Sequence, residues 1–191
     1  MLHYLDTGTL LGIAHLIGVA VGVGGAIASD LLFFKSIKDG RLSDTEFQFL
    51  ILTSKMVWAG LIILVISGLG LFALDTEKYL ASSKFLVKMV VVGVIVINGF
   101  FFHFSHIPRL KKYREMWFTT EPEFMQKRSL LLSSGAISIT SWMGALVLGS
   151  LKQIPHSFTQ GVIAYAIILL LAVCIANRLK NKLIPEAKPP I

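Results

Sequence analysis

Four ionisable side chains, His15, Lys55, Lys88 and His103, stand inside long apolar stretches, where a charge is costly and a polar group is usually kept for function. Imidazole is the commonest side-chain metal ligand, and a buried amine in its uncharged form offers a nitrogen lone pair in the same way. Depth sorts the four. At about 1.5 Å of rise per residue, His15 lies roughly 12 Å below the start of its run and Lys88 roughly 6 to 9 Å below the start of its own, near Ser82 to Lys84. The two runs pass in the same direction, so His15 and Lys88 fall at nearly the same level and can face each other across one iron. Met143, about eight residues from the end of its run, reaches a similar level, and a His/Met pair is a haem ligation that raises the potential. His103 lies some 20 Å or more beyond Lys88 and cannot share an ion with His15.

Each of these residues has a plainer reading. His15 can be a packing histidine bonded to a carbonyl or a serine, and Lys88 can snorkel to the headgroups. His103 and His106, three residues apart, share a helical face and could hold copper, zinc or a second haem, while Phe100, Phe101, Phe102 and Phe104 around them read as an interfacial aromatic belt. Lys55 can snorkel or pair with Asp30. His3 and His156 belong to the outer surface as weak candidates for metal entry. No phosphate-cradling loop, zinc-ligand spacing or nucleophile elbow is present, and the Gly22, Gly24, Gly25 run lacks the strand that a dinucleotide motif requires.

The elements that position these residues follow from composition. With 54% hydrophobic and 15% charged residues in 191, the chain is too apolar for an ordinary soluble domain. Five uncharged runs of membrane-spanning length predict an all-α integral membrane bundle, residues 1–184, with spans at about 7–29, 50–74, 84–107, 129–151 and 156–177, and a disordered Pro-rich tail at 185–191. Lys35, Lys38, Arg41, Arg109, Lys111, Lys112, Arg114, Lys127, Arg128, Arg178, Lys180, Lys182 and Lys188 fall on one side of the predicted membrane. Only Lys78, Lys84 and Lys152 fall on the other. That bias puts the N-terminus outside and the C-terminus in the cytoplasm, fits a bacterial inner membrane, and accounts for the net charge of +7 without nucleic acid.

Small residues mark the faces that point inward. Gly8, Gly12, His15, Gly18, Gly22, Gly25 and Ser29 form one stripe of the first span, and Ser134, Ser138, Ser141, Ala145 and Gly149 form one of the fourth. Gly18 and Gly22 are expected to give a flat cofactor room against the first helix. The fifth span is almost uniformly aliphatic and reads as lipid-exposed, with Cys174 as a small buried hydrophobe. The 111–128 loop, with Trp117, Phe118 and Phe124, reads as an interfacial segment.

The stretch from His15 through Gly25, then Leu61 to Phe72 with Ser67-Gly-Leu-Gly, then Lys84-Phe-Leu-Val-Lys88, resembles the membrane-embedded protoporphyrinogen oxidases of the HemJ type and the wider group related to CopD copper-resistance proteins. The resemblance covers roughly the first 110 residues. It implies that His15 and Lys88 are the haem-associated pair. Val21 stands where that family has tryptophan, Ile27-Ala-Ser-Asp30 replaces its Pro-Arg-Leu segment, and a fifth span is added to the usual four. The expectation is therefore a haem b protein of electron-transfer or oxidoreductase character, acting on a hydrophobic or porphyrin-type substrate. Its partners would be the lipid bilayer and a membrane or periplasmic redox protein, with self-association left open. The competing class is a copper-handling or other metal-transport protein without haem, using His15 with Met143, or His103 with His106.

Overall fold

The computed structural model describes residues 6–117, 121–152 and 157–185, without the side chains of 37–39. Helix α1 covers Thr7–Asp39, α2 Asp44–Leu74, α3 Thr76–Leu80 and α4 Ser83–Phe101. A π-turn at Phe102–His106 leads into α5, Ile107–Lys112, and then come α6 at Pro122–Ser150, α7 at Phe158–Arg178 and α8 at Lys180–Leu183. No strand is present among the described residues, and five helical stretches are long and apolar enough to cross a membrane. His3, His156, Phe118 and residues 186–191 lie outside the described residues.

Several helices outrun the apolar stretches that predict them. The first continues past Asp30 and Lys35 to Asp39. The second begins at Asp44, because Ser43 and Glu46 close a capping box that satisfies the first free N–H groups. The third runs through Pro108 to Lys112; the widened turn just before the proline absorbs the missing N–H and the ring.

The bundle is two layers. In the first, α1 packs along the whole of α2. Gly18 and Gly60 let their backbones touch: a Cβ on Gly18 would stand 2.7 Å from Leu64 N, and one on Gly60 would stand 2.7 Å from Gly18 O. In lipid no hydrophobic force separates one apolar surface from another, so close backbone approach is a main source of helix pairing. The second layer is α4, α6 and α7, joined to the first chiefly where α1 meets α6. Trp142 of α6, 1% exposed, brings the outer edge of its ring against Gly22 and closes the middle of the interface with Val19, Leu61, Leu64, Val91 and Ala145. Between α2 and α4 a crevice remains.

Helix α7 has no buried residue and is held to α6 by two polar contacts, Tyr165 Oη with Ser141 Oγ at 2.7 Å and Asn177 Nδ2 donating to Ser133 Oγ at 2.8 Å. Cys174 is exposed on it, contrary to expectation, because α7 presents only one narrow side to the bundle. Phe124 is also misread as interfacial. It is 1% exposed, in a core cluster with Leu42, Phe47, Leu110, Tyr113 and Ile184 at the basic end, while Trp117 is 46% exposed.

At that basic end the α1–α2 turn is clamped to the segment after α5. Glu115 accepts from Asp44 N–H and from Arg41 Nη2, both at 2.5 Å, and donates its own N–H to Leu42 O at 2.8 Å. Arg114 pairs with Asp44 at 2.9 Å. These bonds hold Glu115 in the left-handed region, φ 63°, a conformation that costs a non-glycine residue about 1–2 kcal/mol.

Two measurements test this packing. Gly60→Ala should destabilise the detergent-solubilised protein by about 1–3 kcal/mol, because its Cβ meets backbone that cannot move aside. Gly12→Ala, with nothing within 4 Å of the added carbon, should be neutral or stabilising by up to about 1 kcal/mol; equal effects in chemical unfolding would refute the close approach. The bond from Asp44, followed by those from Arg41, holds the Glu115 carboxyl below its ordinary value of 4.5. A depressed carboxylate adds stability above that value and loses it as pH falls through the folded value. Glu115→Gln should therefore be less stable than the parent at neutral pH, and the gap should close as pH falls below 4.5 in chemical unfolding followed against pH.

Candidate functional site

Ser67, on α2, is one of the few fully buried polar residues of the bundle. Its hydroxyl donates back along its own helix to Ile63 O at 2.6 Å, with Leu64 O at 3.2 Å. A hydroxyl has one proton. With that proton committed, Ser67 Oγ accepts from His15 Nδ1–H at 3.1 Å, which puts the imidazole proton on Nδ1 and leaves the lone pair on Nε2. Lys88 Nζ, reaching in from α4, donates to that Nε2 at 2.7 Å. Gly68 lets the ring lie against α2, since a Cβ there would stand 3.3 Å from His15 Cε1.

The His15–Lys88 pair thus bridges the two layers across the crevice, and both residues are half-buried. Lys88 turns inward instead of snorkelling, and His15 makes the serine bond of its plainer reading together with the lysine bond. An apolar groove of about 830 Å³ on one side is lined by His15, Leu64, Gly68, Phe72, Phe85 and Met89. A second, of about 610 Å³, adds Lys88, Leu71, Tyr79, Leu148 and Gly149. Phe72 stacks on Phe85, with ring centres 5.5 Å apart and 5° between planes, and Tyr79 tilts against both. Just outside, Lys78, Lys84 and Lys152 converge on one pocket with Ser82 and Ser83.

The donors suit an axial pair across iron: one imidazole whose second nitrogen is tied to an acceptor, and one amine on a flexible stem. Metal–nitrogen bonds of about 2 Å put two opposed donors about 4 Å apart, so the 2.7 Å contact is a closed pair that would have to part by about 1.3 Å to hold a metal. The glycine cradle does not fit. The space before Gly18 is filled by Leu64 and Gly60 of α2, and the space before Gly22 by Trp142, so neither faces an open slot.

The other candidate ligands stay apart. Met143 is 40% exposed, and Leu148 and Gly149 are the α6 residues that border the pair. His103 is exposed, whereas His106 is fully buried, with Nδ1 3.2 Å from Arg109 Nη1 and no partner for Nε2 among the described residues. The π-turn rotates the two off the common face that α-helical spacing predicts. Lys55 is exposed and makes no ion pair with Asp30. No group of three His, Cys, Asp or Glu suited to a metal ion occurs among the described residues. Sequence reasoning missed Ser67 and the Phe72, Tyr79, Phe85 trio; a lone serine in an apolar helix opposite an intramembrane histidine was the available signal for the first.

No family model, curated protein or solved structure matches this chain.

The tautomer is directly measurable. Nitrogen-15 spectra of histidine-labelled, cofactor-free protein should show His15 with its proton on Nδ1, and Ser67→Ala should move population to the other tautomer while costing about 0.5–1.5 kcal/mol of stability. A dominant Nε2–H form in the parent protein refutes the assignment.

Proposed function

We propose that this chain is an integral membrane redox protein that holds haem b between His15 and Lys88, with its N-terminus outside and its basic end at the cytoplasmic face of a bacterial inner membrane. The observation that carries the reading is the His15–Lys88 contact itself. Two nitrogen donors from different layers converge on one point inside the apolar part of the bundle, at the mouth of an apolar groove. The orientation rests on the Lys and Arg excess around the α1–α2 turn, the α5–α6 connection and α8.

His15 Nε2 and the Lys88 amine would be the two ligands, and Leu64, Gly68, Phe72, Phe85 and Met89 of the crevice the apolar walls. Haem bound there supplies a one-electron couple whose potential depends on axial ligands, burial and hydrogen bonds. Ser67 keeps Nε2 presented by holding the proton on Nδ1, as an acceptor commonly does behind a metal-bound histidine. Lys78, Lys84 and Lys152 are the cationic partners available to the haem carboxylates. Lys84 Nζ also donates to Leu151 O at 2.6 Å, tying the start of α4 to the end of α6 beside the crevice. With protein nitrogens on both sides, electron transfer is favoured over oxygen activation. The copper reading has no comparable support, because Met143 lies away from His15 and His103 away from His106.

The absorption spectrum of protein purified in mild detergent, from cells supplied with haem precursor, tests this. A Soret band with reducible visible bands is expected. His15→Ala should lower haem content about tenfold or more, Lys88→Ala should shift the spectrum, and Ser67→Ala should weaken retention by about 10–100-fold. A colourless parent protein, or both ligand variants with full haem and an unchanged spectrum, overturns the proposal.

A further inference from the structure

The same crevice contains a second polar station. Asp30 lies 15 residues beyond His15 on α1, about 22 Å further along the helix. It borders a cavity between the layers, where Ser29, Ser54 and Ser138 stand around it and Trp58 and Trp142 form apolar walls. On the same wall Asn98 Nδ2 donates to Ser134 O, and Ser134 Oγ donates to Asn98 Oδ1, each at 3.0 Å, so these two satisfy one another.

The remaining groups are unpaired. Among the described residues, the Asp30 carboxylate and the hydroxyls of Ser29, Ser54 and Ser138 have no hydrogen bond or ion pair. Elsewhere in the bundle Ser36, Thr53, Ser67, Ser141 and Ser150 donate to the carbonyl one turn back, the usual resort of a hydroxyl in an apolar helix. A carboxylate and three hydroxyls thus face one cavity with their oxygens free to coordinate, in a surround where polar groups are kept at a cost.

We infer that the cavity beside Asp30 is a binding site for one small monovalent cation of the class of Na⁺. All the free donors are hard oxygen atoms, which suit alkali and alkaline-earth ions and not copper or zinc. Among the described residues, Asp30 is the only titratable side chain lining the cavity, so one positive charge is neutralised there and a divalent ion would leave a net charge in a poorly polarisable surround. The cavity, about 580 Å³ in all, has room for an ion with a few waters. Access is from the basic end. Asp30 and Gly135 also border a neighbouring pocket lined by Phe33, Phe34, Ala176 and Leu183, and a Cβ on Gly135 would stand 3.7 Å from Asp30 Oδ1. The site is independent of haem.

Thermal melting of the purified full chain, compared in NaCl and in choline chloride at equal ionic strength and mildly alkaline pH, tests the inference. A saturable rise in Tm with Na⁺ is expected in the parent protein, absent in Asp30→Asn, with the half-saturating concentration raised about tenfold in Ser138→Ala. Indistinguishable melting in the two salts overturns the site, as does an Asp30→Asn variant that keeps the full response. If Asp30→Asn does not fold, the parent comparison and the Ser138→Ala shift still decide. Haem content is not a readout in this experiment, so its outcome is separate from that of the spectrum.

Discussion

The near-contact of the α1 and α2 backbones through Gly18 and Gly60 is the constraint from which the rest of the molecule follows. It fixes the register of the two helices, and that register brings His15 to Ser67 near one end and Asp30 to Ser54 towards the other. It also keeps the pair thin. The second layer meets it chiefly along α1 and α6, and the room left between α2 and α4 becomes the crevice.

Both polar stations lie in that crevice, separated by its driest part. Trp142, Leu61, Leu64 and Val91 fill the middle with carbon. Asp30 and the His15–Lys88 pair therefore stand as separate stations, about 22 Å apart along α1. The upper station opens sideways through an apolar groove, the lower one towards the basic end. The bundle thus has two entrances of different chemical character.

Much of this was legible in the sequence, for physical reasons. Uncharged runs reveal spans because lipid tolerates few charges, and small residues reveal packed faces because only they admit a neighbouring backbone. Gly18, Gly22 and Gly25 of the α1 stripe do face inward, whereas Gly12 faces open space; what the three pack against is not legible, because Gly60 and Trp142 lie far away in the chain and nothing local announces them. The meeting of His15 and Lys88 followed from counting residues along two parallel helices. The same counting failed for His103 and His106, where one widened turn rotates everything after it, and for Met143, where the inward position belongs to its neighbour Trp142. Asp30 reads in the sequence as a partner for Lys55 and as a departure from the family segment, since a single carboxylate near a helix end carries no sign of the cavity that three other helices build around it.

The clamp formed by Arg41, Asp44, Arg114 and Glu115 gives the bundle a fixed pivot far from the histidine. With the layers pinned there, the helices act as levers about 35 Å long, and a rotation of only about 2° parts the far tips by the extra 1.3 Å or so that a metal between two nitrogens requires. Parting the two nitrogens at one end of the bundle therefore needs almost no displacement at the other, where the clamp stays closed.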